Sequence, residues 1–209
     1  MSEITKPLRV ALPKGRFLGY SQGLIRNIFD ADVVFDESVD RVKIDRNGAE
    51  CFFLKSPDIP YLLSSRRVDI AVAPKEWCLE YGLFDAPDIR LVKDSLNELK
   101  IKLCFFSETG DWPDVDSLSV VTSFPNIVES YLKSNTLIVD KYKNIEIISM
   151  KGSIEAMVAS VANVGFDCVE TGSSIDSHKL AVIETYMDGL DLQVWSSNAS
   201  FEYASKIFN

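Results

Sequence analysis

The chain is poor in the residues that most metal and hydrolytic chemistry uses. Among its 209 residues there is one histidine, His178. That excludes a multi-histidine metal site and leaves His178 as the one residue that could serve a Ser-His-Asp triad. The four cysteines, Cys51, Cys78, Cys104 and Cys168, are scattered and form no CxxC pair. Spacing this wide argues against a zinc site and is read as four buried thiols in a reducing compartment. Positive charge is also scarce: 22 Lys and Arg against 31 Asp and Glu give −9 with the histidine neutral. A pI near 4.7 is a poor basis for nucleic-acid binding, which needs a basic face. No run approaches the ~18 apolar residues of a membrane span. The opening MSEITKPLRV holds no apolar stretch of signal-peptide length, so a cytoplasmic location is expected.

What is present suits a globular α/β protein. Composition is 46% hydrophobic and 25% charged, enough to build a core without staples. Short β-branched runs alternate with segments of helical spacing. Leu8–Leu12, Cys51–Leu54, Asp69–Ala73, Lys102–Phe106, Leu118–Thr122, Ile145–Met150 and Asp167–Val169 read as strands, with Leu180–Glu184 and Leu190–Trp195 as further candidates. Phe17–Phe29, Pro57–Ser65, Pro74–Tyr81, Pro125–Leu132 and Ser153–Ser160 read as helices, the last capped by Ser153. Strands alternating with helices predict a largely parallel sheet. The polar stretches Lys93–Glu98 and Ser174–Lys179 read as linkers, and the acidic Ser107–Asp116 as a surface loop. Two lobes follow, 1–93 with 179–209, and 94–178.

Three segments are candidate anion sites. Lys14-Gly15-Arg16 follows the first strand and opens a helix, where backbone N–H groups and nearby cations favour phosphate; a solvated basic turn accounts for the same residues. Glu170-Thr171-Gly172-Ser173-Ser174 follows a strand end. Its glycine and hydroxyls can cradle a phosphate, and Asp167 and Glu170 can accept hydrogen bonds from ribose hydroxyls. An acid–x–x–acid pair before T-G-x-[ST] suits a ribose 5-phosphate; the plainer alternative is a turn that caps a helix. Gly152-Ser153-Ile154-Glu155 is the third, and helix capping by Ser153 explains it nearly as well. Arg41 has no local reason to be functional.

Taken in order, these segments resemble the ATP phosphoribosyltransferase family, in its short form. LRVALPKGR is similar to that family's first strand and KGR turn. PDIPYLLSSRRVDIAVAPKEWCLEYG resembles its D-[IV]-P…L-x-E-x-G segment through Asp58, Pro60, Asp69, Lys75, Leu79, Glu80 and Gly82. VVTSFPNIVESYL matches through Thr122, Pro125, Asn126 and Tyr131. KGSIE and DCVETGSSI resemble the G-S-[IV]-E and D-x-V-x-[ST]-G-x-T signatures.

The resemblance implies a two-lobed α/β fold like the type II periplasmic binding proteins, with a central cleft. It implies a glycosyltransferase (a pentosyltransferase) of histidine biosynthesis, moving phosphoribosyl from phosphoribosyl pyrophosphate to N1 of ATP and releasing pyrophosphate. Thr171, Gly172, Ser173 and Ser174 would hold the 5-phosphate, Asp167, Glu170 and Glu155 would lie on the ribose side, and Asp69 would join the substrate-binding set with Gly15. Lys14, Arg16 and Arg41 would face the pyrophosphate. Mg2+ would act through the substrate phosphates, with no direct protein ligand. The implied assembly is a homodimer with a regulatory subunit like histidyl-tRNA synthetase, without nucleic acid or membrane.

The sequence departs from the family pattern in places. Pro74 and Glu76 stand where the G-x-D motif has glycine and aspartate, and the segment after Glu155 is one residue shorter. Two further readings therefore stand beside the first: phosphoribosyl transfer to a different acceptor, and a non-catalytic two-lobed ligand-binding or regulatory protein.

Overall fold

The structure is a computed structural model and describes residues 7–30, 36, 38–44, 49–96 and 98–208. Residues 1–6, on which the expectation of no leader rests, lie outside the described residues, as does Asn97 in the first linker. The chain divides into two compact units, Met1–Asn97 with Asp191–Asn209, and Glu98–Leu190.

In the first unit the central strand is β1 (Leu8–Pro13), whose LRVALP run is almost wholly buried. It pairs in parallel with β3 (Ala49–Leu54) on one side and β4 (Ile70–Pro74) on the other. Outside β3, β2 (Arg41–Ile44) runs antiparallel. Beside β4 lies the second half of β10 (Ala181–Ser197), also antiparallel, which in turn pairs with β5 (Ile89–Lys93). A 3-10 turn at Gly15–Phe17 leads into α1 (Leu18–Phe29). Helix α1 buries Ser21, Ile25 and Phe29, four residues apart, so one stripe faces the sheet. Helices α2 (Asp58–Ser64) and α3 (Lys75–Glu80) pack on β4, and α2 also reaches β1. Small strand residues make room there: Ala11, Ala71 and Ala73 share a buried cluster with Ile59, Leu63, Cys78, Leu83 and Trp195. Burying each of the large aliphatic side chains contributes about 1.5–3 kcal/mol.

The second unit repeats the logic. Strand β7 (Ser117–Thr122) pairs in parallel with β8 (Asn144–Ser149) and β9 (Val164–Val169). Strand β6 (Glu98–Ser107) runs antiparallel to β9, and the first half of β10 lies beside β6. Helix α4 (Pro125–Ser134) begins with proline, whose missing N–H would have had no partner in a first turn. The single turn α5 (Thr136–Val139) follows. Phe105 packs among Trp112, Tyr131 and Phe166, with ring centroids 5.2, 4.8 and 4.3 Å away.

Several expectations change here. Each sheet is mixed: a three-stranded parallel core carries antiparallel flanks, because the chain enters and leaves the second unit along strands that run against that core. The sequence reading put the unit boundaries at 93/94 and 178/179; in the structure they fall at 97/98 and 190/191. Ser174–Lys179 is not a linker, since Ser173–Ser177 forms helix α6 with Ile175 buried. The two C-terminal strand candidates are one strand, β10. Ser153–Ser160 is not a helix: only Glu155–Met157 makes a 3-10 turn, and Ala159 has φ +74°. Cys51, Cys78 and Cys104 are buried free thiols, whereas Cys168 is half-buried. Among the described residues, no helix is long and apolar enough to cross a membrane.

Candidate functional site

In α/β sheets, ligands bind beyond the carboxyl ends of the parallel strands. In the first unit that edge follows Pro13 of β1. The Lys14 amide donates to the Leu54 carbonyl at 2.9 Å, and the buried Ser21 hydroxyl donates to the Pro13 carbonyl at 2.6 Å. The turn is thus tied to β3 and to α1. Gly15 has φ +71°, a left-handed conformation that side-chain-bearing residues avoid, and the space where its Cβ would stand is open. The glycine is therefore set by backbone conformation and leaves room for an approaching group.

Two basic residues stand at this edge, each already facing a carboxylate. Lys14 Nζ lies 2.7 Å from Asp40 Oδ1. Arg16 lies 3.7 Å from Glu76 Oε1, and its guanidinium stands 4.8 Å over the Phe17 ring. Arg16 is half-exposed, while the Glu76 side chain is only 2% exposed. Arg41 follows Asp40 and pairs across β2 and β3 with Phe52, but its Nε lies 2.7 Å from Glu50 Oε1, and Glu50 stands in register with Arg9, towards the amino end of the strands. The sequence offered no local reason to connect Arg41 with Lys14, and the β2–β3 pairing supplies one. The acidic partners Asp40, Glu50 and Glu76 were missed, because they are distant in sequence from the cations they meet.

Asp69 sits elsewhere. It precedes β4 at the opposite, amino end of the parallel strands, where its backbone N–H donates to the Arg9 carbonyl. Its carboxylate accepts from the Arg9 backbone N–H at 2.9 Å, from Nε at 3.0 Å and from the second guanidinium nitrogen at 2.9 Å. This bidentate grip holds the Arg9 pKa above its ordinary value. The structure thus separates Asp69 from Lys14, Gly15 and Arg16 and gives it a role in holding β1 to β4.

In the second unit the matching edge follows Thr122, Ser149 and Val169. Glu170 and Thr171 leave β9, and Gly172, at φ +76°, turns the chain into α6. Thr171 Oγ1 lies 2.8 Å from Ser173 Oγ and accepts weakly from the Ser173 amide at 3.4 Å. Thr171, Ser173 and Ser174 are exposed, so the loop presents three hydroxyls to solvent. The Ser174 carbonyl, in contrast, is engaged by Ser177 Oγ at 2.9 Å and by the His178 ring at 2.9 Å. Asp167 is half-buried on β9 and accepts from the Cys168 amide at 2.8 Å. Glu155 opens the short turn after β8 and is also half-buried.

One basic residue on this edge, Lys151 of the KGSIE segment, carries no role in the sequence reading. Lys151 lies two residues beyond β8, and its Nζ donates to the Ser123 carbonyl, just past the end of β7, at 3.3 Å. The signal that could have found it is the K-G-S tripeptide, which echoes the K-G-R turn of the first unit. Among the described residues, no group of three or more His, Cys, Asp or Glu side chains is placed to hold a metal ion.

The comparisons with known proteins fit this arrangement. Residues 55–207 match the family model described as HisG: ATP phosphoribosyltransferase. The ATP phosphoribosyltransferase of Caldanaerobacter subterraneus subsp. tengcongensis is 32% identical over 182 residues, covering 84% of this chain and 80% of that one. Among solved structures, the ATP phosphoribosyl transferase (HisG:HisZ) complex from Thermotoga maritima superposes with a TM-score of 0.74 at 21% identity, covering 95% of this chain and 92% of that one. The periplasmic aliphatic sulphonate binding protein SsuA from Escherichia coli shares the fold at a TM-score of 0.58 and 10% identity, over 95% of this chain and 63% of that one. The architecture is the α/β fold of the type II periplasmic binding proteins. The family match spans well over half of the chain, and it includes the loop of exposed hydroxyls after β9: this protein belongs to the ATP phosphoribosyltransferase family.

Proposed function

We propose that the chain transfers the phosphoribosyl group of phosphoribosyl pyrophosphate to N1 of ATP, as the catalytic subunit of a short-form ATP phosphoribosyltransferase at the head of histidine biosynthesis. One observation carries the reading: within the family-matched region, Gly172 turns the chain so that Thr171, Ser173 and Ser174 stand exposed at the carboxyl edge of the sheet. Hydroxyl donors of this kind suit the 5-phosphate, and Asp167, Glu170 and Glu155 suit the ribose side.

The chemistry needs no protein nucleophile. The N1 lone pair of ATP forms a bond to the anomeric carbon as the bond from that carbon to the pyrophosphate oxygen breaks. Negative charge builds on the leaving group, so stabilising it is the main task, together with alignment. Arg16 and Arg41 offer planar guanidinium forks and Lys14 a compact charge. Asp40 and Glu76 hold Lys14 and Arg16 at the β1 edge, and Arg41 would leave Glu50 to join them; a more highly charged anion would displace these carboxylates. Gly15 leaves space for that anion beside the backbone. Mg2+ would act through the substrate phosphates, with no direct protein ligand, and would supply further neutralisation of the leaving group, while Asp167 and Glu170 stay on the ribose side. The reading includes a cytoplasmic location, a homodimer and a regulatory subunit resembling histidyl-tRNA synthetase; the Thermotoga maritima structure, whose fold this chain shares, is a HisG:HisZ complex.

A second acceptor base is favoured by one observation. Pro74, where the family motif has glycine, is buried at the end of β4 and pairs with Leu192. It has no N–H to offer a ligand at that strand end.

The test is pyrophosphate release from phosphoribosyl pyrophosphate and magnesium, with and without ATP, and with mass spectrometry of the product. The expected result is ATP-dependent release with phosphoribosyl-ATP formed. Release with another base but not with ATP supports the second acceptor. Donor binding without release under any condition, regulatory subunit included, contradicts both.

A further inference from the structure

The loop proposed to hold the 5-phosphate is rich in hydroxyls and poor in positive charge. The carboxylates closest to it in sequence are Asp167, Glu170 and Asp176; Glu155 lies on the same edge, and the basic groups of its own connection, His178 and Lys179, follow only past the end of α6, with the His178 ring on the Ser174 carbonyl. Hydroxyls and amides donate hydrogen bonds, but they do not neutralise a dianion. A cation from another element would add the neutralisation that these donors do not supply.

Lys151 meets that need by placement. Strands β8, β7 and β9 lie side by side, with Thr122 paired to both Ser149 and Phe166, so their carboxyl ends form one edge. Lys151 leaves β8 and crosses to the Ser123 carbonyl at the end of β7, the strand next to β9. Two left-handed residues follow it, Gly152 at φ +81° and Ser153 at φ +55°, and they turn the chain sharply down into the core. There Ile154 shares one buried cluster with Ile175 of α6, along with Phe106, Val121, Val158, Ala162 and Leu180. The turn bearing Lys151 and the loop Thr171–Ser174 are thus packed on a common base, three residues and one residue away from their respective anchors.

We propose that Lys151 is a substrate-binding residue: its ammonium leaves the Ser123 carbonyl and pairs with the 5-phosphate held by Thr171, Gly172, Ser173 and Ser174. This rests on the phosphoribosyl transfer proposed above and adds the charge that the loop lacks. A lysine suits the role, since a flexible stem carrying a compact charge can follow the phosphate as it seats.

The experiment compares Lys151→Met and Lys151→Arg with the unaltered protein, each with its regulatory subunit, by steady-state kinetics in both substrates. Lys151→Met is expected to raise the KM for phosphoribosyl pyrophosphate by about 10-fold or more, the effect of losing a charge-assisted contact. kcat and the KM for ATP should change less than about 2-fold, and Lys151→Arg should restore most of the donor affinity. If Lys151→Met does not fold, Lys151→Gln carries the same comparison, with circular dichroism as the check. An unchanged donor KM, an equal rise in the ATP KM, or an arginine variant as weak as the methionine one overturns the proposal. An unaltered protein that neither binds the donor nor releases pyrophosphate overturns the underlying reading instead, and the two failures are thereby distinguished.

Discussion

The two turns at the carboxyl edges of the two sheets meet the same problem in opposite ways. Around Lys14-Gly15-Arg16 the chain concentrates positive charge and ties each cation to a carboxylate, Lys14 to Asp40 and Arg16 to Glu76, while Arg41 on β2 is held by Glu50. Around Glu170–Ser174 it places exposed hydroxyls and an acid, with Lys151 at the same edge coming from a different strand connection. The first arrangement is built to respond to charge, the second to shape and hydrogen bonding. In a protein of net charge −9, the contrast matters. Cations paired in the resting state avoid attracting arbitrary anions, and only a ligand that outbids a carboxylate displaces them. The difference predicts a division of labour, with turnover governed by the first unit's turn and donor affinity by the second unit's loop.

The largest effect expected from breaking that division is on Arg16. Arg16→Ala should lower kcat by about 100-fold, near 2.7 kcal/mol of leaving-group stabilisation, while the donor KM moves little. A fall below about 3-fold would show that Arg16 is a surface ion pair with no part in the chemistry. Next comes Asp69, which lies at the other end of the parallel strands. Asp69→Asn should cost about 1.5–3 kcal/mol of stability in urea unfolding, because three hydrogen bonds to Arg9 lose their ionised acceptor. The folded fraction should retain unaltered kinetics, and a selective rise in the donor KM would return Asp69 to the substrate site.

Smaller effects sharpen the comparison. Ser174→Ala removes one of the exposed hydroxyls and should raise the donor KM by about 5-fold, roughly 1 kcal/mol, at constant kcat. Alkaline titration compares the two cores. Burial pushes the Cys51 thiol up to about 12 from 9.0, and burial with the Glu184 hydrogen bond pushes the Tyr131 phenol up to about 12 from 10.0. In both, the folded state keeps a proton that the unfolded chain releases earlier. Their contribution is fully present below pH 9 and is lost as pH rises towards 12. Unfolding free energy measured between pH 8.5 and 11 should fall, and Tyr131→Phe should flatten the part above pH 10. An unaltered slope would contradict the role of Tyr131.

Strand–helix alternation was legible in the sequence because most of these elements are buried on a regular period. The parallel cores Leu8–Pro13 and Ser117–Thr122 carry short buried apolar stretches, Val10, Ala11 and Leu12 in the first and Val120 and Val121 in the second. Strand β10 read as two pieces, since Asp188-Gly189 is a strong turn signal. Gly189 does take φ +65°, yet the chain stays extended because strand pairing continues on both sides of it. The helix expected over Ser153–Ser160 failed for a tertiary reason. Ile154, Val158 and Ala162 are drawn into one cluster, and the bridge between Val158 and Ala162 replaces helical hydrogen bonds. The edge strand β5 was passed over; Ile89 and Leu91 pack on the core while Arg90 covers the Phe201 ring at 3.5 Å. At the site, glycine-bearing turns were visible as local patterns. The partners of Lys14, Arg16, Arg41 and Asp69 were not, because strand pairing and sheet ends bring them together from 9 to 60 residues away.

The most direct test of the division of labour is the kinetics of Arg16→Ala, Ser174→Ala and the double variant, with kcat and donor KM resolved separately. The account predicts that the double variant shows the kcat loss of the first and the KM rise of the second, each unaltered by the other. A double variant whose defects fall in one parameter, or whose losses fail to combine in this way, would show that the two turns do not act on separate parts of the donor.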